Sequence, residues 1–180
     1  MPFEGAARLL LVAHALLAGT LVALTTHHLI WIIRSRGARR RGEPRFALLA
    51  SSFFFAAFIA GACLYPTYRV RVRAEFFDAP SAIVAERAVR NDSTQRPEPA
   101  PTPALAGPRI ARLFDVKEHL AAFGLLASVC LFWLSRRTSP IDRDARVLYV
   151  ALSCYVCVAS WSALVIGLYT ASVRAVGGTP

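Results

Sequence analysis

LFDVKEHLAAFGLLASVCLFWLS, residues 113–135, is the stretch that decides the fold of this chain. Its uninterrupted apolar part, 120–134, would rise only about 22 Å as an α-helix, which is short of a hydrocarbon core roughly 30 Å thick. A helix that spans the membrane here must therefore carry its charged end in with it. Asp115, Lys117, Glu118 and His119 then lie in one leaflet or its headgroup zone, where ionisable side chains are costly and often functional.

Composition predicts a membrane protein. The 180 residues are 56% hydrophobic with a mean hydropathy of +0.46, which is more apolar than a soluble domain of this size can hide in one core. Four apolar runs account for the excess, and each is long enough to cross a bilayer as a helix. These runs are 9–33, 46–65, 113–135 and 147–173.

The fold prediction follows from these four runs. We predict an all-α polytopic membrane protein, with four transmembrane helices in a bundle that forms a single domain over residues 1–180. A long, partly disordered outer loop, 67–112, is predicted between helices 2 and 3. The first run continues to residue 33, which is too long for a signal-peptide core. We therefore predict that it is a transmembrane helix of the mature protein and not a cleaved signal peptide.

The arginines predict how the chain is oriented. Residues 34–45 contain six arginines and one glutamate, and residues 136–146 contain four arginines and two aspartates. Both short connections lie on the same face of a four-span chain, and the positive-inside rule makes that face cytoplasmic. Because almost all basic residues are arginine, we infer a GC-rich bacterial gene. The predicted location is the bacterial inner membrane, with multiple passes and both termini periplasmic.

The predicted outer loop divides by composition. Arg and Val alternate from Arg69 to Arg73, which favours a short extended piece, with continuation of helix 2 as the alternative. Ser81 is a candidate N-cap for one or two helical turns. Residues 91–108 contain five prolines and no apolar pattern, so a flexible tether is predicted there.

Histidines provide the most specific signal for a site, because all four lie in or beside predicted spans. His14 is about five residues in from the outer end of helix 1, and His119 is about six in from that of helix 3. Two histidines at equal depth on facing helices can ligate one haem iron from opposite sides, as in four-helix b-type cytochromes. His14 and His119 are therefore candidate ligands of one haem b.

The spacing of His14 and His28 resembles the histidine pair by which one helix of a membrane cytochrome b serves two haems. This resemblance covers a single helix. Helix 3 has Trp133 where the second inner ligand would be expected. The resemblance therefore implies at most one haem, near the outer face.

The cluster on helix 3 has two alternative roles. Asp115, Glu118 and His119 are spaced i, i+3 and i+4 and share a helix face, so they form a candidate site for a divalent metal, with His14 as a further ligand. Alternatively, arginines of the outer loop pair with the two carboxylates in an ion network that seats the loop on the bundle. The candidate interaction residues are Arg69, Arg71, Arg73 and Arg112.

The remaining polar residues favour structural roles. Lys117 lies off the Asp115–His119 stripe and is predicted to extend towards the headgroups. His27 and His28 are predicted to lie at the polar interface on the inner side, although His28 also has the option of approaching Cys130 and Cys154. All four cysteines fall inside predicted spans, which favours apolar packing over disulfides.

Function is the least determined property. The sequence has no G-x-S-x-G, no phosphate-binding glycine loop and no H-E-x-x-H, so no motif indicates an enzyme. The basic residues lie in short segments between apolar runs, which excludes a nucleic-acid partner. The favoured hypothesis is a small accessory or assembly subunit of a membrane complex, whose partners are the lipid bilayer and other membrane subunits. The alternatives are an electron-transfer protein with one haem b and a protein with a divalent-metal site at the same cluster.

Overall fold

The computed structural model describes residues 6–34, 42–79, 81, 103–136 and 143–173, and these are helical apart from short turns. Helix α1 spans Ala7–Arg34, and α2 spans Glu43–Thr67 and passes directly into a π-helical segment, Tyr68–Phe77. Helix α3 spans Pro103–Arg136 and α4 spans Arg143–Val173. By length and composition, four helices are able to cross a membrane, which confirms the prediction of four apolar helices.

The helices pack in chain order around a ring. Helix α1 contacts α2 and α4, and α3 contacts the same two helices; over the described residues, neither α1 and α3 nor α2 and α4 touch. Neighbours are antiparallel, since His14 lies beside Ala57 while His28 lies beside Phe46. Helices α1 and α3 therefore face each other diagonally across the centre. We call the end where α1 begins and α4 ends the upper end.

Several polar side chains lie inside this bundle beside the apolar core, and many large apolar side chains face outward. His28 and Thr25 are only 2% and 3% exposed, whereas Leu9 and Leu16 are 77% and 68% exposed. A soluble bundle would show the opposite arrangement. This pattern suits a protein whose surface contacts lipid, because buried polar groups can then bond between helices.

In the lower half, a hydrogen-bonded seam joins α1 to α4. Thr25 Oγ1 is 2.9 Å from Ser160 Oγ, and His28 Nε2 is 3.1 Å from the Tyr149 hydroxyl. His28 is therefore buried between helices, while its neighbour His27 is exposed. The suggested approach of His28 to Cys130 is wrong, because Cys130 is exposed on α3.

The helices extend into both ends of the predicted loop 67–112. The extended piece predicted from the Arg–Val alternation does not form, and helix 2 continues instead. The reason is a second pattern, because Tyr68, Val72 and Phe76 recur every four residues and pack together against Ile110 of α3. The short helix predicted after Ser81 and most of the tether, 91–102, lie outside the described residues.

Pro66 explains where the helical register changes. Proline has no N–H to donate, and its ring clashes with the carbonyl four residues earlier, so an α-helix is disturbed at this point. The wider turns of the π-helical segment begin two residues later, at Tyr68. At its end, the Asp78 N–H donates to the Arg73 carbonyl over 2.8 Å, a bond that spans five residues.

Candidate functional site

A cavity of about 460 Å³ lies in the upper half of the bundle, a volume typical of small-ligand sites. Apolar residues pack above it, around Tyr68 and Phe77, and below it, around Leu21 and Phe54. All four helices contribute to its walls, which are mostly apolar. Its ionisable lining residues are His14, Tyr65, Lys117, Glu118 and His119.

The cavity opens sideways between α2 and α3. Its exposed lining residues are Ala62, His119 and Ala122, which we call the mouth, and all three lie on these two helices. Lining residues deeper in the bundle, such as Ala57 and Ser160, are buried. A molecule dissolved in the bilayer would therefore meet the opening directly.

His14 lies on the inner wall of the cavity, against α2. Its Nδ1 is 2.9 Å from the Ala57 carbonyl oxygen, which accepts only, so Nδ1 carries the proton and donates. In the neutral ring, Nε2 then holds the lone pair that a metal requires. Gly61 allows this close approach, because a Cβ there would lie 3.2 Å from His14 Cε1.

His119 repeats this arrangement at the mouth. Its Nδ1 is 2.7 Å from the carbonyl oxygen of Asp115, one turn earlier on α3, so Nε2 again holds the lone pair. The two histidines that the sequence predicted to share a site thus line one cavity from diagonal helices. They differ in burial, because the His14 side chain is half-buried and the His119 side chain is exposed.

Asp115 and Glu118 diverge, although the helical spacing placed them on one face. Arg73 of the π-helical segment holds the Asp115 carboxylate with both guanidinium nitrogens, at 2.6 and 3.4 Å, and its Nε lies 3.6 Å from Asp78. Glu118 instead lines the cavity. Within the described residues, no group of three or more His, Cys, Asp or Glu side chains is placed to hold a metal ion.

The other three predicted interaction arginines are at the surface. Arg69 and Arg112 are exposed, and Arg71 is exposed while forming an ion pair with Glu75 over 3.3 Å. Arg73 is the one that turns inward to Asp115. It therefore ties the π-helical segment to α3 one turn before His119.

Lys117 is the site residue for which the sequence prediction was wrong. It lines the cavity instead of extending to the headgroups, with Nζ 5.2 Å from the centre of the Phe114 ring. A Cβ on Gly167 of α4 would lie 3.1 Å from Nζ. The sequence contains one pattern that indicates the face of α3 lining the cavity. Phe114, Lys117 and Ala121 follow one another at spacings of three and four residues, so they share a helix face.

Tyr68 and Phe114 close the upper side of the cavity. Their rings stack with centroids 3.7 Å apart, and Phe114 lines the cavity. The Tyr68 side chain is buried, and its hydroxyl has no hydrogen-bond partner in the part of the chain that the structure describes. The π-helical segment therefore covers the upper side of the site.

The fold and the cavity define a class, a multi-pass four-helix membrane protein with a ligand-sized internal site that opens towards lipid. The chain matches no protein-family model, no curated protein sequence and no solved structure. The argument for function therefore depends on the cavity and its five ionisable side chains.

Proposed function

We propose that this protein is an integral membrane electron carrier that binds one haem b in the cavity, with His14 and His119 as axial ligands. One observation supports the proposal above the others. Two imidazoles from diagonal helices line one cavity, and each donates its Nδ1 proton to a backbone carbonyl. Metal-ligating histidines commonly make this bond with the nitrogen that does not bind the metal, which fixes the ring and its tautomer.

The chemistry of the walls also suits a haem. A porphyrin supplies four equatorial ligands, so the protein needs to supply only two, and a largely apolar cavity favours its flat ring. When bound, the haem supplies one-electron transfer. His14 and His119 would hold the iron, and the packed layers above and below would exclude water.

The arginine distribution supports the proposed membrane placement. With the short connections cytoplasmic, both termini and the upper end face the periplasm of a bacterial inner membrane. The cavity then lies in the outer leaflet, where a quinone or a periplasmic carrier can exchange electrons with it. If a cysteine introduced at residue 40 reacted with a thiol reagent added from the periplasmic side, that result would contradict this orientation.

The first prediction is a haem spectrum that depends on both histidines. After expression with haem supplied, the dithionite-reduced minus air-oxidised spectrum of the purified protein is expected to show a haem α-band. His14→Ala and His119→Ala should each abolish or shift that band because each removes an axial ligand. His27→Ala is the matched control and should leave the spectrum unchanged, because His27 is exposed and does not line the cavity.

Two results would contradict the haem proposal. One is a correctly folded protein without an α-band, and the other is a band that survives both substitutions. Metal analysis separates the alternatives in the first case. A bound transition metal would favour the divalent-metal hypothesis, with Glu118 and His119 as ligands, while Asp115 stays in its ion pair with Arg73. The absence of bound metal would favour the accessory subunit.

A second prediction tests the contacts that hold the His14 imidazole in position. Gly61→Ala adds a methyl group 3.2 Å from His14 Cε1, so the imidazole has to move while its bond to Ala57 resists. Because positioning contacts of metal-binding histidines commonly change affinity 10–100-fold, we expect haem affinity to fall about tenfold. Haem titration of the apoprotein measures this.

The control for Gly61→Ala is Gly19→Ala. It adds the same methyl group to another helix, at a position with nothing within 4 Å. Equal haem affinity in the two variants would show that Gly61 does not position His14.

The accessory subunit remains the second candidate, and the exposed Arg69, Arg71 and Arg112 favour it. These guanidinium groups surround the upper end, where anionic lipid headgroups or an acidic surface of another subunit would meet them. Mild-detergent purification of the parent and of a triple Arg→Gln variant would test this role. A defined subunit retained only by the parent would support it.

A further inference from the structure

We propose that Lys117 is an anion anchor inside the cavity and binds a carboxylate of the ligand, which for haem b is a propionate. This inference rests on the proposed haem site and adds a residue that the histidine pattern did not include. It concerns recognition of the ligand's acidic group, not ligation of the iron.

The position of Lys117 provides the first support. The residue lines the cavity from α3, and its Nζ lies over the Phe114 ring at 5.2 Å from the centroid. In the described part of the chain, no carboxylate oxygen lies within 4 Å of Nζ, although Glu118 follows directly in sequence. The cation therefore has an aromatic face beside it but no anion in contact.

The energetics of burial provide the second support. An ammonium group in an apolar membrane site is costly, and such groups almost always pair with an opposite charge or a polar partner. A cation–π contact compensates only part of that cost. This chain does form a close pair nearby, between Arg73 and Asp115 at 2.6 Å, but that pair lies outside the cavity lining. A ligand carboxylate would give Lys117 the close ion pair that no described carboxylate makes with it, since Glu118 lines the same cavity without forming a salt bridge to Nζ.

The surroundings of Nζ provide the third support. Lys117 reaches Gly167 on α4, whereas His119 lies at the mouth, on the side of α2. Since Gly167 has no side chain, the Lys117 ammonium group can pack against α4 at this point; a Cβ at residue 167 would lie only 3.1 Å from Nζ. If His14 and His119 hold the iron, Lys117 would be the lining cation on the α4 side of the same cavity that could bind a propionate.

The test compares haem b with its dimethyl ester, in which both propionates are blocked. Apoprotein in detergent is titrated with each compound, for the parent, Lys117→Gln and Lys117→Arg. The control is Arg109→Gln, which removes an exposed charge from the same helix outside the cavity. Size-exclusion chromatography and circular dichroism check that each variant is folded.

The parent and Arg109→Gln are expected to bind haem b about tenfold more tightly than the ester, as a charge-assisted hydrogen bond predicts. Lys117→Gln should bind both compounds equally, at the affinity of the parent for the ester. Lys117→Arg should retain the preference for the free acid. If Lys117→Gln does not fold, Lys117→Met, which also lacks the charge, takes its place with the same expected result, and equal binding of both compounds by the parent still overturns the inference.

Failure of this inference differs from failure of the haem proposal. A parent protein that binds both compounds equally well, or a Lys117→Gln variant that keeps the preference, overturns the role of Lys117 and leaves the haem site intact. A folded parent that binds neither compound overturns the haem proposal and this inference with it.

Discussion

Gly124→Leu is expected to lower the melting temperature of the detergent-solubilised protein by about 10 °C. A Cβ at residue 124 would lie 2.5 Å from Phe54 Cζ and 3.2 Å from the Cβ of Ala159, so α2, α3 and α4 meet here without spare room. Phe54 is itself buried, so its ring has to shift to make room for a larger side chain at residue 124. Overpacking of this kind typically costs about 1–3 kcal/mol, sometimes more, and each kcal/mol corresponds to about 2–4 °C in a protein of this size.

Gly19→Leu is the matched control for this substitution. A Cβ at Gly19 meets nothing within 4 Å, and the residue is exposed on α1. Its melting temperature should stay close to that of the parent, and Gly124→Ala should fall between the two leucine variants. Equal melting temperatures for the two leucine variants would show that the three helices do not approach this closely at residue 124.

His28→Ala is expected to destabilise the bundle by about 2–4 kcal/mol, because it leaves a cavity between α1, α2 and α4. The imidazole is 2% exposed, stacks on Phe46 at 6.3 Å and meets Tyr149 edge-on at 6.0 Å. Its Nε2 also bonds the Tyr149 hydroxyl across the helix interface. Unfolding of the detergent-solubilised protein by increasing SDS, followed by circular dichroism, would measure the loss.

His27→Ala provides the comparison, since the adjacent histidine is exposed and should cost no more than about 0.5 kcal/mol. Tyr149→Phe keeps the packing and removes the hydrogen bond to His28, so about 1 kcal/mol is expected. Equal destabilisation by the two histidine substitutions would contradict the burial of His28 between helices.

The four helices were predictable from the sequence because the signal for them is local. A helix satisfies its own backbone hydrogen bonds, so a long apolar run is by itself sufficient to identify a candidate span. The pairing of His14 with His119 in one cavity was also within reach, because both lie at similar depth. The π-helical segment was not predicted, because the alternation of Arg and Val favoured an extended piece. The spacing of four residues from Tyr68 to Val72 and Phe76 indicated the helix more accurately.

The direction in which each helix faces was decided by the tertiary structure. Helical periodicity placed Lys117 off the Asp115–His119 stripe, whereas the structure groups Lys117 with Glu118 and His119 around the cavity and turns Asp115 to Arg73. In a soluble protein the apolar face would identify the core, whereas in a membrane both the lipid and the core accept apolar side chains. Only the packing of α3 between α2 and α4 places Lys117 in the cavity, His119 at its mouth and Asp115 against Arg73.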